Sequence, residues 1–356
     1  MLLAPGFWLP ASLLHLHLFP QVWRAGEWFL RSGIQAPQGG VARYYRTDLQ
    51  RNHALSTEIT GYAASTLVFL DRYDQARSAA QFLTEAWDPA AHAMPFEIDP
   101  AQFSYFFDCG IVVRGLLSVW RVTGAGDLLN CARAVGDSMA RDFRASDGSF
   151  RPILELPGKR PVERDAARWS RSPGCYQLKA GMAWWDLWEA TGESCYREVY
   201  DGLREAALRT ANDFLPGHSD PRKVVDRLHA YLYFLEGLLP MPSDALADGI
   251  ERVAGLVREL APEFERSDVY AQLLRIRVFA DAMGAAKLDR GAAQSEAECL
   301  MEFAAVSDDP RIDGGFYFGR TAGRWEPYIN PVSTAFALQA LAMWSGGAPV
   351  NRLLLI

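Results

Sequence analysis

The chain has 356 residues, of which 49% are hydrophobic and 22% are charged, and its formal net charge is −7. These values describe a globular protein with a large core, and they argue against a nucleic-acid-binding surface, which needs clustered Lys and Arg. The 11 Trp, 13 Tyr and 19 Phe exceed what a helical core needs for filling small gaps, so we expect some of these rings to line a cleft.

Residues 1–20 are apolar, but Pro5, Pro10 and Pro20 interrupt them. The stretch has neither a basic segment nor a clear small-residue cleavage site, so we interpret it as a packing arm or the start of the first hairpin rather than a secretion signal. No apolar run elsewhere is long and uninterrupted enough to span a membrane.

The five cysteines are scattered along the chain and do not have the spacing of metal ligands. They favour a reducing compartment, most simply the cytoplasm. The glycine pairs Gly39-Gly40 and Gly314-Gly315 do not lie in the strand–turn–helix setting of a phosphate-binding loop. We therefore expect neither a cofactor nor a metal.

From residue 21 onward, charged amphipathic helices alternate with helices that are apolar on most sides. We predict the amphipathic helices at residues 21–34, 73–87, 127–143, 193–214, 244–260 and 287–305. We predict the apolar helices at residues 57–70, 109–122, 175–190, 225–239, 269–283 and 330–344. Two of the loops contain near copies of one turn, Asp147-Gly148-Ser149-Phe150 and Asp313-Gly314-Gly315-Phe316.

This alternation amounts to six helical hairpins with an irregular period of roughly 40 to 65 residues. Closing the hairpins into a ring, with the apolar helices inside, would bury both ends of the array. We therefore predict an all-α fold, an (α/α)6 toroid, that forms one domain over residues 1–356 with residues 1–20 as its arm. An open superhelical array is the structural alternative.

The layout resembles the six-hairpin glycosidase-like toroids and the related sugar epimerases, polysaccharide lyases and squalene-cyclase-like rings. The two Asp-Gly turns are the most specific likeness, because such turns lead into the inner helices of these toroids. The resemblance implies that the loops before the inner helices gather at one mouth and hold the site, although a fold alone does not give a reaction. The chain has neither the Asp-rich motif of squalene cyclases nor the Cys/His zinc set of protein prenyltransferases, which disfavours an isoprenoid substrate.

Three carboxylates are candidate catalytic residues. Glu58 lies in the first turn of an otherwise apolar helix, where burial could raise its pKa and suit it to acid–base work, or where the helix dipole could simply favour it. Asp108, at the start of the next apolar helix, could be its partner or an N-cap. Together the two could supply the acid and the base of sugar hydrolysis. Glu326, in the loop Trp-Glu-Pro-Tyr, has no obvious structural role.

Aromatic rings that stack on sugar faces and cations that suit an acidic sugar are also expected at the mouth. The predicted substrate-binding residues are Arg43, Tyr44, Tyr45, His53, Tyr105, Tyr176, Lys179, His229, Arg275, Asp313, Arg324, Trp325, Tyr328 and Asn330. Several have structural alternatives. Lys179 and Arg275 could form an internal salt bridge with Asp108 or Glu58, His229 could be a core histidine, and Asp313 could brace its own turn.

The leading hypothesis is a carbohydrate-active enzyme that works on an oligo- or polysaccharide, with uronic acids among the candidate units, by carboxylate acid–base chemistry. Hydrolysis comes first. A lyase or uronyl epimerase reaction that uses Tyr44, Tyr45, Tyr105 or Tyr328 comes next. A non-catalytic glycan- or protein-binding toroid and an isoprenoid cyclase-like enzyme are the remaining alternatives.

Overall fold

The structure is a computed structural model that describes residues 20–165, 168–261 and 263–356. The predicted arm lies almost wholly outside these ranges. Within them the chain forms twelve α-helices, which alternate between an outer and an inner set. The outer helices are α1 (Pro20–Arg31), α3 (Tyr73–Ala86), α5 (Gly126–Asp142), α7 (Ser194–Phe214), α9 (Asp244–Leu260) and α11 (Arg290–Glu302). The inner helices are α2 (Thr57–Phe69), α4 (Phe106–Thr123), α6 (Gln177–Thr191), α8 (Pro221–Gly237), α10 (Ser267–Ala282) and α12 (Pro331–Trp344).

The inner helices form a closed ring. Each packs against the next in chain order, and α12 packs back against α2. Glycines allow the closest of these approaches, since a Cβ on Gly115 of α4 would lie 2.6 Å from the carbonyl oxygen of Gly61 in α2. The fold is therefore the predicted (α/α)6 toroid and not an open array.

Burial explains why the two helix sets have different sequences. Every residue of α12 except Trp344 is buried, so the helix has to be apolar all round. Outer helix α9 instead buries one face, through Leu246, Ile250 and Val253 among others. No helix in the described ranges combines the length and the apolar character that crossing a membrane requires.

Several inner helices begin earlier than their apolar pattern predicts, because polar residues form their first turns. Helix α8 begins at Pro221, after Asp220, whose side chain accepts a hydrogen bond from the backbone N–H of Arg222. Helices α4 and α10 likewise begin at Phe106 and Ser267. Asp108 and Asp268 consequently belong to the first turns of α4 and α10.

Short strands connect the loops that precede the inner helices. They are β1 (Val41–Ala42), β2 (Tyr45–Arg46), β3 (Arg51–Asn52), β4 (Leu55–Ser56), β5 (Phe103–Tyr105), β6 (Ile153–Glu155), β7 (Arg160–Pro161), β8 (Phe264–Arg266), β9 (Gly319–Thr321), β10 (Arg324–Trp325) and β11 (Tyr328–Ile329). All pairings are antiparallel, in the orders β1-β4, β11-β2-β3, β10-β9-β8 and β5-β6-β7. Since β11 pairs with β2 and β9 with β8, loops from different hairpins meet at one end of the ring, which we call the mouth.

The other end of the ring is filled by residues 352–356. Leu355 and Ile356 are buried. The carbonyl oxygen of Leu355 accepts a hydrogen bond from Arg114 Nη2 at 2.9 Å, and that of Ile356 accepts one from Lys179 Nζ at 2.9 Å. Gln339 donates to Leu354 and accepts from the Ile356 N–H. Residues 352–356, which we call the tail, therefore provide hydrogen-bond partners for Arg114, Lys179 and Gln339 of the inner helices.

Candidate active site

Two carboxyl groups lie at the mouth on adjacent inner helices, close enough for the charge of one to raise the pKa of the other. Glu58 is in the first turn of α2 and Asp108 in the first turn of α4. Ser56 caps α2, and Tyr105 occupies the cap position of α4, so neither carboxyl group is the cap of its helix. Asp108 is 6% exposed, and its Oδ2 has no hydrogen-bond partner in the part of the chain that the structure describes. A buried carboxyl oxygen without a partner is costly, which is typical of a functional group.

Burial and mutual repulsion perturb both carboxyl groups. Burial raises the pKa of Glu58 to about 7, although the Arg43 guanidinium opposes the rise. Burial also raises the pKa of Asp108 well above its usual range, the charge of Glu58 raises it further, and Arg43 again opposes. Because Asp108 is buried and Glu58 is partly exposed, the proton of the pair is held best by Asp108 and the charge by Glu58.

Aromatic rings surround the pair. Tyr105 packs on Phe96 with 5.0 Å between ring centroids, and Phe107 packs on Tyr233 at 4.6 Å. Burial raises the pKa of the Tyr62 and Tyr233 phenols well above their usual range, and the charge of Glu58 adds to this. These rings give the site walls on which a sugar face can stack.

His229 of α8 belongs to the same wall. Its ring lies 4.4 Å from that of Tyr233, its Nδ1 lies 2.7 Å from Gln272 Oε1, and Asp268 Oδ2 is 3.5 Å away. Arg266 holds that carboxylate through two hydrogen bonds of 2.9 and 2.6 Å. Burial lowers the pKa of His229 to about 4, while the charge of Asp268 opposes this. The imidazole is therefore neutral at physiological pH.

Two arginines face the site with weak or absent ion pairs. Arg43 Nη1 is 3.5 Å from Glu97 Oε1, and its guanidinium lies 4.8 Å from the Phe96 ring centroid. Arg171 is partly exposed and forms no ion pair with a carboxylate of the described residues. It lies close enough to Tyr105 to act on it, because burial raises the pKa of Tyr105 and the charge of Arg171 partly opposes that rise. Both guanidinium groups are available to a ligand.

The rim of the mouth carries a second aromatic group. The ring of Tyr44 lies 4.7 Å from that of His53 and 5.1 Å from that of Tyr328. Tyr45, the first residue of β2, is buried and is not part of this group. Its ring lies under the Arg311 guanidinium instead, at 5.3 Å.

Other predicted binding residues have structural contacts. Asn330 caps α12 by accepting from the N–H groups of two helix residues. Asp313 accepts from the Ser307 N–H at 3.2 Å, which braces its turn. Tyr176 is buried, and its hydroxyl donates to the Ser172 carbonyl at 3.0 Å.

The loop around Glu326 lies on the rim, outside the carboxyl pair. Glu326 accepts hydrogen bonds from Arg222 at 2.9 Å and Thr321 at 2.8 Å. Trp325 stacks on Tyr317, with 5.1 Å between their centroids, and Arg324 is exposed. Glu326 therefore already has a salt-bridge partner.

Lys179 and Arg275 lie in the ring interior and are both completely buried. Their shared partner is Glu236 of α8, which differs from the partners expected from the sequence. Lys179 Nζ is 2.7 Å from Glu236 Oε2, and Arg275 Nη2 bonds the other carboxylate oxygen. Burial would raise the pKa of Glu236, but the two cations outweigh it and hold that pKa below its usual range. We call Lys179, Glu236 and Arg275 the buried triad.

Sequence reasoning did not identify Tyr233, Arg266 or Asp268 as site residues. Asp268 had a detectable signal, because it lies in the first turn of an inner helix, as Glu58 and Asp108 do. Tyr233 had none, since an aromatic residue in an apolar helix is usually core. Within the described ranges, no three His, Cys, Asp or Glu side chains come together to hold a metal ion.

Neither a protein-family model nor a curated protein matches the sequence. Solved structures do match over nearly the whole chain. A sugar epimerase from a ruminal bacterium is 13% identical with a TM-score of 0.69, covering 94% of this chain and 98% of its own. The chain has the six-hairpin glycosidase-like fold.

Two further structures share this six-hairpin fold. Cellobiose 2-epimerase from Spirochaeta thermophila is 15% identical with a TM-score of 0.66, and the match covers 94% of this chain and 98% of that one. An α-amylase from Clostridium perfringens is 10% identical with a TM-score of 0.65, over 91% and 97% of the two chains. At these identities the likeness shows the six-hairpin fold and not a reaction.

Proposed function

We propose that the protein is a carbohydrate-active enzyme that hydrolyses a glycosidic bond of an oligo- or polysaccharide. The observation that carries this proposal is the carboxyl pair of Glu58 and Asp108, two adjacent groups at the mouth with raised pKa values and unequal burial. Glycoside hydrolysis requires one carboxylic acid and one carboxylate that flank the bond.

Unequal burial assigns the roles. Asp108 donates its proton to the glycosidic oxygen while the bond from that oxygen to the anomeric carbon breaks. Glu58, as a carboxylate, takes a proton from the water that attacks the anomeric carbon. Arg43 stabilises the ionised form of Glu58, since its charge opposes the effect of burial. The rings of Tyr105 and Phe107 stack on the sugar.

Activity against a glycan library, followed by product analysis, tests this proposal. Asp108→Asn and Glu58→Gln each should lower the rate about 10³-fold, the size expected for losing one acid–base group. Glu85→Gln, an exposed carboxylate on outer helix α3, is the matched control and should have no effect. Unchanged activity in both mouth variants would remove the assignment. Glycan binding without turnover would favour the non-catalytic toroid.

A second candidate, sugar epimerisation or isomerisation, is favoured by His229. Its imidazole is neutral, and its Nε2 has no hydrogen bond to any described residue, so it could take a proton from a sugar carbon. Two of the structures with this fold are sugar epimerases. Incubation in D2O separates the candidates. Epimerisation would incorporate deuterium at a sugar carbon, and His229→Asn would abolish that incorporation. Hydrolysis would incorporate no deuterium at carbon, and it would not depend on His229.

The location and domain organisation belong to the same proposal. The five cysteines are free thiols, which supports the predicted reducing compartment, the cytoplasm. The closed ring of helices supports one domain over residues 1–356.

A further inference from the structure

A second cavity, of about 270 Å³, opens beside the active site on the rim of the mouth. It lies between the segment that precedes α6 and the first turns of α8. Its lining residues include Arg168, Trp169, His218, Lys223, Asp226 and Arg227. Three of the six are permanent cations, and one is a carboxylate. We call it the rim cavity.

The carboxylate of the rim cavity has a cationic partner, which it shares with Asp268. Asp226 Oδ1 accepts a hydrogen bond of 2.6 Å from Arg266 Nη1. Arg227 donates to the Phe214 carbonyl at 2.8 Å and lies 4.3 Å from the Phe214 ring centroid, without a carboxylate partner among the described residues. Arg168 Nε lies 3.6 Å from Asp165 Oδ2, so the cations available to a ligand are Lys223 and Arg227, and with them the lining cations outnumber the one lining carboxylate.

Two donors in this cavity face each other with no acceptor between them. The N–H of Asp220 donates to His218 Nδ1 at 2.9 Å, so in the neutral ring the proton lies on Nε2. Lys223 Nζ is only 3.3 Å from that Nε2. An ammonium group and a ring N–H cannot bond each other, and both can bond one shared anion.

The rim cavity adjoins the active site on two sides. Trp169 packs against Tyr176 with 4.9 Å between centroids, and Tyr176 lies 6.3 Å from Phe107, the neighbour of Asp108. On the other side, the Asp226–Arg266 contact leads to Asp268 and His229, as described above. Both contacts place the rim cavity on the same side of the mouth as the carboxyl pair, where a further unit of a bound sugar chain would lie.

We propose that the rim cavity is a subsite for an anionic sugar unit, whose carboxylate, sulfate or phosphate group bonds Lys223 and His218 while its ring stacks on Trp169. The inference rests on the proposed function, because it makes the glycan substrate an acidic one. Cations beside an indole suit this ligand, since the ring binds the sugar face and the donors bind its charge.

Binding should be measured in the Glu58→Gln background, so that turnover does not interfere. The probes are an oligogalacturonate, glucose 6-sulfate, glucose 6-phosphate, inorganic phosphate and neutral cellotetraose. We expect at least one acidic sugar to bind about tenfold tighter than cellotetraose, as a charge-assisted hydrogen bond would give. Lys223→Gln should remove this preference, and Lys223→Arg should restore part of it. Which acidic sugar binds identifies the charged group.

Lys287→Gln is the matched control, because Lys287 is an exposed lysine between α10 and α11, at the end of α10 away from the mouth. Equal affinity for acidic and neutral probes, or no binding of any probe, would overturn the proposal. So would equal effects of Lys223→Gln and Lys287→Gln. Inorganic phosphate binding as tightly as the acidic sugars would reduce the cavity to a general anion site. If the wild type bound an acidic sugar without cleaving it, the proposed hydrolysis would be refuted but the anionic subsite would not.

Discussion

Replacing Glu58 with Gln should stabilise the folded protein at alkaline pH while abolishing activity. In the folded state the pKa of Glu58 is about 7, against an ordinary value of 4.5. The raised pKa means that folding disfavours the charged carboxylate. The wild type therefore loses stability as the pH rises from the pKa of Glu58 in the unfolded state to its pKa in the folded state. Below that pH range the Glu58 carboxyl is neutral in both states. Gln at this position does not ionise.

The size of the effect follows from that pKa difference. Each pKa unit corresponds to about 1.4 kcal/mol, so the full ionisation cost at about pH 8 is about 3 kcal/mol. Glu58 is partly exposed, and solvent screening reduces this to about 2 kcal/mol. The same substitution removes a charge that raises the pKa of Asp108, which adds to the gain.

Urea unfolding of wild type and Glu58→Gln at about pH 4 and pH 8 measures the difference. We expect the two free energies of unfolding to be similar at the lower pH and to separate by about 2 kcal/mol at the higher one. Glu85→Gln, the exposed control, should stay within about 0.5 kcal/mol of wild type at both. A Glu58→Gln protein that is less stable than wild type at pH 8 would refute the reasoning, because it would mean that the carboxylate has a stabilising partner.

Two further predictions concern the ring itself. Glu236→Gln leaves the two cations of the buried triad without a counter-charge and should lower the free energy of unfolding by about 3–5 kcal/mol. Glu251→Gln, which removes an exposed partner of another arginine, should cost less than about 1 kcal/mol, and equal losses would contradict the role of burial. Gly115→Val should lower the free energy of unfolding by about 1–3 kcal/mol or more, because its side chain would force α2 away from α4. Gly202→Ala is the control, since its Cβ would meet open space. A thermal melt should find it neutral or slightly stabilising.

The fold was predictable because burial determines helix composition so completely. A helix inside the ring touches neighbours on all sides, so α12 and α2 are buried almost throughout and mostly apolar, whereas an outer helix needs only one apolar face. The carboxyl pair was predictable for the related reason that an acid is conspicuous in an apolar helix. Glu58 and Asp108 both stand in the first turns of such helices.

The remaining site details depend on relations between helices that one sequence does not contain. Lys179 and Arg275 meet Glu236 because the register of α6, α8 and α10 brings these residues to one level of the ring. Sequence spacing says nothing about that register. Tyr44 and Tyr45 are likewise neighbours in the chain, but only Tyr45 belongs to a strand, and a two-residue strand is too short to show an alternation in the sequence.

The tail that fills the far end of the ring has a consequence for how a substrate moves. With Leu355 and Ile356 buried between the inner helices, a polysaccharide strand cannot be threaded through the toroid. Under the proposed function, a sugar would enter and leave by the same opening, so the product would depart before the next substrate arrives. Such a dead-end site would favour attack at chain termini or on short oligosaccharides, and the proposed hydrolysis should shorten a polymer from one end.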